Sequence, residues 1–209
     1  MRSKLLLPLV SLLACSCAEA PDNRAVRDVF ETFHAALVVG DGKLAADCTS
    51  RLTLEYYERC VTRARSAGAL EVHLLPLAEK LMVLRIRHHI TQDALQGMDG
   101  RAAFAHGVSR RWLAQQDMLE RAGVGGVTVD GDTAEARMTL DGSPTLQHMR
   151  FRREAGQWRI DLRAMAEATG TALAREAREL KISEDEHIER ILSGDADFPL
   201  PEDIWAPLR

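Results

Sequence analysis

At 209 residues, with 46% hydrophobic and 28% charged side chains and a formal net charge of −4, the chain has the size and balance of one globular domain with a substantial core. The acidic excess and the lack of a basic stripe exclude nucleic acid as a partner. Beyond the N-terminal leader no apolar run is long enough to cross a bilayer.

Arg2 and Lys4 open the chain, and residues 5–14 form an apolar run that ends in Leu12-Leu13-Ala14-Cys15. About ten apolar residues suit the core of a signal peptide and fall short of a membrane span. A plain secretory cut needs no cysteine, and this segment resembles a bacterial lipoprotein signal. The resemblance implies removal of residues 1–14, lipidation of Cys15, and a body held on the extracytoplasmic face of the cell envelope. Ser16 after the lipidated cysteine implies the outer membrane where the host has one. Two or more acyl chains anchor a protein stably, whereas one does so only weakly. Residues 15–23 then read as a lipidated tether, residues 24–194 as a single domain and residues 195–209 as a tail.

The first helix is expected over residues 24–39, with Val26, Val29, Phe30, Phe33 and Leu37 on one face. A short helix over 43–48 follows, and Ser50 is placed to cap another that runs to residue 67. Residues 74–90 carry apolar side chains nearly all round and read as a buried helix with Pro76 in its first turn. Thr91 suits the cap of a single turn, and Asp99 that of a helix extending to residue 121. Cys48 and Cys60 are close enough in sequence to close a disulfide between two helices, the other reading being two buried thiols.

After Gly123 the period changes from 3.6 to 2. Ala134, Ala136, Met138 and Leu140 alternate with polar residues; so do Gln147, Met149 and Phe151, then Trp158, Ile160 and Leu162. Gly-Asp, Asp-Gly and Ala-Gly turns separate the runs, so four strands form an antiparallel meander with one apolar and one charged face. Arg137, Arg150, Arg152, Arg159, Arg163, Glu135 and Asp161 fall on the charged face. Helix returns over 164–181, and Ser183 with Glu186 reads as a capping box for a last helix. Pro199, Pro201 and Pro207 make the tail extended, with Phe198, Ile204 and Trp205 lying on the domain surface. The fold class is therefore α+β, with N-terminal helices packed on a curved four-stranded antiparallel meander, C-terminal helices and an extended Pro-rich tail.

At Gly131-Asp132-Thr133-Ala134 and at the hairpin Arg152-Arg153-Glu154-Ala155-Gly156-Gln157-Trp158-Arg159-Ile160 the chain resembles the nuclear-transport-factor-2-like, or cystatin-like cone, superfamily. That resemblance implies a sheet wrapped around the first helix, leaving a cone-shaped pocket. The candidate pocket residues are Phe30, Phe33, His34, Tyr56, Gln147, Met149, Phe151 and Trp158, suited to a small apolar ligand. Enzymes of the superfamily place acids or bases on inward strand positions, and here Gln147 is the only strongly polar residue at those positions. A non-catalytic binding or assembly module is thus favoured, with an envelope protein or a small apolar ligand as partner. Proton transfer by His34 and a tyrosine is the alternative. No catalytic residue is assigned. Phosphate-loop and zinc signatures are absent, so neither metal nor cofactor is expected.

Overall fold

In the computed structural model, which describes residues 20–112, 116–194 and 199–207, helix α1 spans Pro21–Val39. Proline suits the first helical position because its missing N–H is not needed there. Val26, Phe30 and Phe33 form the buried stripe. The helix begins earlier than the apolar pattern suggested, so residues 21–23 are not tether. Asp22 pairs with Arg153 at 2.7 Å and accepts from Trp158 Nε1 at 3.4 Å. The expected leader, Cys15 and Phe198 lie outside the described residues.

Helices α2 (Gly42–Cys48) and α3 (Arg51–Ser66) each start on a side-chain cap. Asp41 accepts from the Leu44 N–H at 3.0 Å and Ser50 from the Thr53 N–H at 3.3 Å. α3 ends just before Gly68, which sits at the N-cap position of a further short helix not expected from the sequence, α4 (Ala69–His73). α5 (Leu77–His89) follows Pro76, α6 (Gln92–Gln96) follows the Thr91 cap, and α7 (Gly100–Ser109) follows the Asp99 cap.

The expected continuation of α7 to residue 121 fails for a local reason. Arg111 turns left-handed, with φ 59°, and the Trp112 N–H bonds back to the Gly107 carbonyl at 2.8 Å. That turn folds the indole onto the helix, where the space left by the missing Gly107 side chain accommodates it. A separate helix, α8 (Gln116–Arg121), leads into the sheet.

Strands β1 (Ala122–Asp130), β2 (Thr133–Leu140), β3 (Ser143–Glu154) and β4 (Gln157–Asp161) pair antiparallel in the order β1-β2-β3-β4. Two hairpin turns have positive φ at both central residues, Asp141-Gly142 and Ala155-Gly156, which is the geometry that matches strand twist. The register lines up Val129, Ala134, Phe151 and Ile160 in one row across all four strands. Helix α1 packs against β1 and β4, covering this apolar face. On the other face Arg150 Nε donates to Glu135 at 3.0 Å. The free side of β4 is closed by the chain between α2 and α3, where the Ser50 N–H donates to the Ile160 carbonyl at 2.8 Å.

Two strand expectations are corrected. Gln147 is exposed rather than inward, because the β2–β3 register shifts between Arg137 and Thr139 and the alternation is lost beyond that point. Asp161 is buried rather than solvated, at 5% exposure. It accepts from Arg163 Nε at 2.9 Å and Nη2 at 2.7 Å. Burial alone would raise its pKa, yet these bonds, the Arg163 backbone N–H and the nearby Arg152 hold the carboxyl below its ordinary value. A depressed folded pKa stabilises above the unfolded value of about 3.9 and is lost as pH falls through the folded one. Asp161→Asn should therefore cost about 1–3 kcal/mol at neutral pH. The gap to the parent should narrow in acid denaturation series below about pH 4.

α9 (Arg163–Leu180) runs back along α5, so closely that a side chain at Gly170 would sit 3.2 Å from the Ala78 nitrogen. α10 (Glu184–Ser193) starts on Ser183, which accepts from the Glu186 N–H at 3.1 Å. The tail segment 199–207 forms a turn over residues 202–205 instead of the expected extended run. Ile204 is buried, Trp205 stacks on His73 with ring centroids 4.1 Å apart, and its Nε1 donates to Glu189 at 2.7 Å. The described residues thus make an α+β fold of ten helices and one open four-stranded antiparallel sheet, with helices before and after the sheet.

Candidate functional site

A cavity of about 180 Å³ lies where α1, α3, α5 and α9 meet the sheet. Each helix contributes one face at helical spacing. α1 supplies Phe30, Phe33 and Leu37; α3 supplies Thr53, Tyr56 and Tyr57; α5 supplies Ala78, Leu81, Met82 and Arg85. Met138 and Met149 form the sheet side, and Met165, Ala166 and Thr169 of α9 form the far wall. Thr169 is exposed while Met165 and Ala166 are half-buried, which places the opening along α9. Four methionine side chains in the wall give it an adaptable apolar surface.

Of the expected pocket residues, the structure brings Phe30, Phe33, Tyr56 and Met149 to this cavity. Phe151 and Trp158 are buried in the sheet core instead and do not line it. Arg153 caps the Trp158 ring, its guanidinium carbon 4.6 Å from the ring centroid. Gln147 is exposed and does not reach the cavity. His34 also stays outside: its ring stacks on Phe30 with centroids 5.7 Å apart, and Nε2 donates to the Leu119 carbonyl at 2.6 Å. His34 therefore does not stand beside the tyrosines as a general base.

Burial raises both tyrosine hydroxyls well above their ordinary pKa, so both stay protonated. Tyr56 is hydrogen-bonded to the Cys60 thiol, whose pKa burial pushes up to about 12. Cys60 therefore faces Tyr56, whereas Cys48 lies near Arg159 and Asp47 at the end of α2. The disulfide considered for this pair is not formed. Both cysteines are free and buried, since the two helices aim them at different neighbours.

Sequence reasoning passed over the wall from α5 and α9, and above all the two arginines of α5. Arg85 lines the cavity and donates from Nη1 to the Trp112 carbonyl at 2.9 Å. Arg87, on the opposite side of the helix, is 2% exposed and donates to carbonyls of α3 and of the tail. Charges inside an otherwise apolar helix were the signal for both. Among the described residues no group of three or more His, Cys, Asp or Glu side chains is placed to hold a metal ion, and no helix is long and apolar enough to cross a membrane. No protein-family model, no curated protein and no solved structure is significantly similar to this chain.

Proposed function

We propose that the protein is a non-catalytic binding module of the bacterial cell envelope, lipidated at Cys15 and holding a small apolar ligand in the helix–sheet cavity. The cavity carries this reading: an apolar, methionine-rich hollow with aromatic walls and a side open along α9 is a recurrent design for small-molecule binding. The leader ending in Ala14-Cys15 supports the envelope address. A long first helix crossing one sheet face agrees with the cone arrangement that the hairpin residues suggest. Proton transfer through His34 lacks support, because its ring is committed to the Leu119 carbonyl and does not line the cavity. The tail is not a free docking strand in this reading, since Ile204 and Trp205 are spent inside the fold.

Filling the cavity tests the reading. Small neutral apolar compounds such as indole and octanol should raise the thermal midpoint of the parent protein. Binding at a hundredfold excess over Kd stabilises by about 2.7 kcal/mol. Ala166→Phe, which projects a ring into the cavity from α9, should fold and lose that response. An unchanged midpoint for the parent across the series, or an equal response from both proteins, would sink the proposal.

A further inference from the structure

Among the described residues, the cavity wall holds two arginines and no aspartate or glutamate. Arg163 is neutralised by Asp161, with Nη2 and the carboxylate 2.7 Å apart. Arg85 has no such counter-charge among the described residues: its one hydrogen bond there goes to the Trp112 carbonyl, which leaves its other N–H donors accessible to a ligand. The guanidinium stays protonated in proteins and carries five N–H donors in a planar fork that matches a carboxylate. A half-buried cation in an apolar hollow, held in place by a single carbonyl, is costly unless an anion completes it.

We propose that the cavity takes a small apolar carboxylate, with Arg85 as the group that holds the carboxylate; this rests on the binding role argued above. The position of Arg85 sets the pose. It lies one turn beyond Leu81 and Met82 on the same face of α5, so a carboxylate on Arg85 would point the apolar body toward those residues and the phenylalanines of α1. The volume sets the size. A cavity of about 150 Å³ holds a benzene ring, so 180 Å³ suits one ring or a short alkyl chain. Desolvation lowers the pKa of Arg85 from its usual value, while nearby Tyr57 opposes that change, consistent with a charge that gains from a partner.

Titration calorimetry with octanoate and 3-phenylpropionate, each against its uncharged amide, decides the matter on the parent protein. The acids are expected to bind about 10- to 100-fold more tightly than the amides, as for a hydrogen-bonded charge in a dry site. Arg85→Met should abolish that preference while still binding the amides. Equal affinities for acid and amide, or a preference that survives in Arg85→Met, would overturn the assignment and leave the apolar binding site standing. Failure of acids and amides alike, together with failure of the neutral compounds above, would overturn the binding role itself. Because the acid–amide comparison is made on the parent, it does not depend on the variant folding.

Discussion

Replacing Arg87 with methionine is expected to cost about 3 kcal/mol or more of folding stability, because several buried carbonyls lose a charged donor. The side chain ties three parts of the fold together. Its Nε donates to the Ala64 carbonyl at 3.1 Å, and Nη2 donates to the carbonyls of Arg63 at 3.1 Å and Ala67 at 2.5 Å. These carbonyls lie in the last turn of α3 and just past its end, where helix carbonyls run out of intrahelical donors. That of Arg63 also accepts from the Ala67 N–H, at 2.8 Å. Nη1 reaches the tail, donating to the Trp205 carbonyl at 2.7 Å and the Ile204 carbonyl at 3.4 Å. Methionine preserves much of the packing and none of the donors, so buried acceptors are left without partners. Urea unfolding gives the size of the loss, and the fluorescence difference from a Trp205→Phe background shows whether the tail leaves the His73 ring. A loss below about 1 kcal/mol would mean that water replaces the guanidinium at little cost.

The second large effect is expected at a glycine. α2 and α7 approach so closely that a Cβ at Gly42 would lie 2.7 Å from the Ala105 Cα and collide with its carbonyl. The atoms it would meet are backbone, so α2 or α7 would have to shift as a unit to make room. Gly42→Ala should therefore cost about 3 kcal/mol or more, at the upper end of overpacking effects. Gly97→Ala is the control: nothing lies within 4 Å of its added methyl, and the backbone there is not left-handed. It should stay within about 0.5 kcal/mol of the parent. Both values come from the same denaturation series, and equal effects at the two glycines would contradict the close contact of α2 with α7.

The meander was readable because period-two alternation and tight turns are local signals, and the observed strands follow them through β4. The helix caps at Ser50, Thr91, Asp99 and Ser183 were equally local. What stayed hidden depends on register and on packing between distant segments. Gln147 was assigned inward because alternation along one strand does not reveal a shift in its partner. Asp161 read as a surface charge because the α3 threonine that packs against it, Thr53, becomes a neighbour only after folding. Phe30, Phe33, Tyr56 and Met149 were readable as cavity residues from helix and strand periodicity, but the contribution of α9 was not. That helix lies close against Ala78 of α5 at Gly170, a packing contact between distant segments that periodicity does not reveal. Residues 74–90 were read as plain core, an interpretation that overlooked what Arg85 and Arg87 do on opposite sides of α5.

The central claim is that a lipidated envelope protein carries a small molecule in this cavity. Mass spectrometry of protein extracted from membranes of its own cells, run in both native and denaturing conditions, tests it most directly. The account predicts a denatured chain that begins at Cys15 and carries added acyl mass, with a further small mass present only in the native spectrum and missing from Ala166→Phe. A chain without acyl mass, whose native and denatured masses agree in the parent, would contradict it.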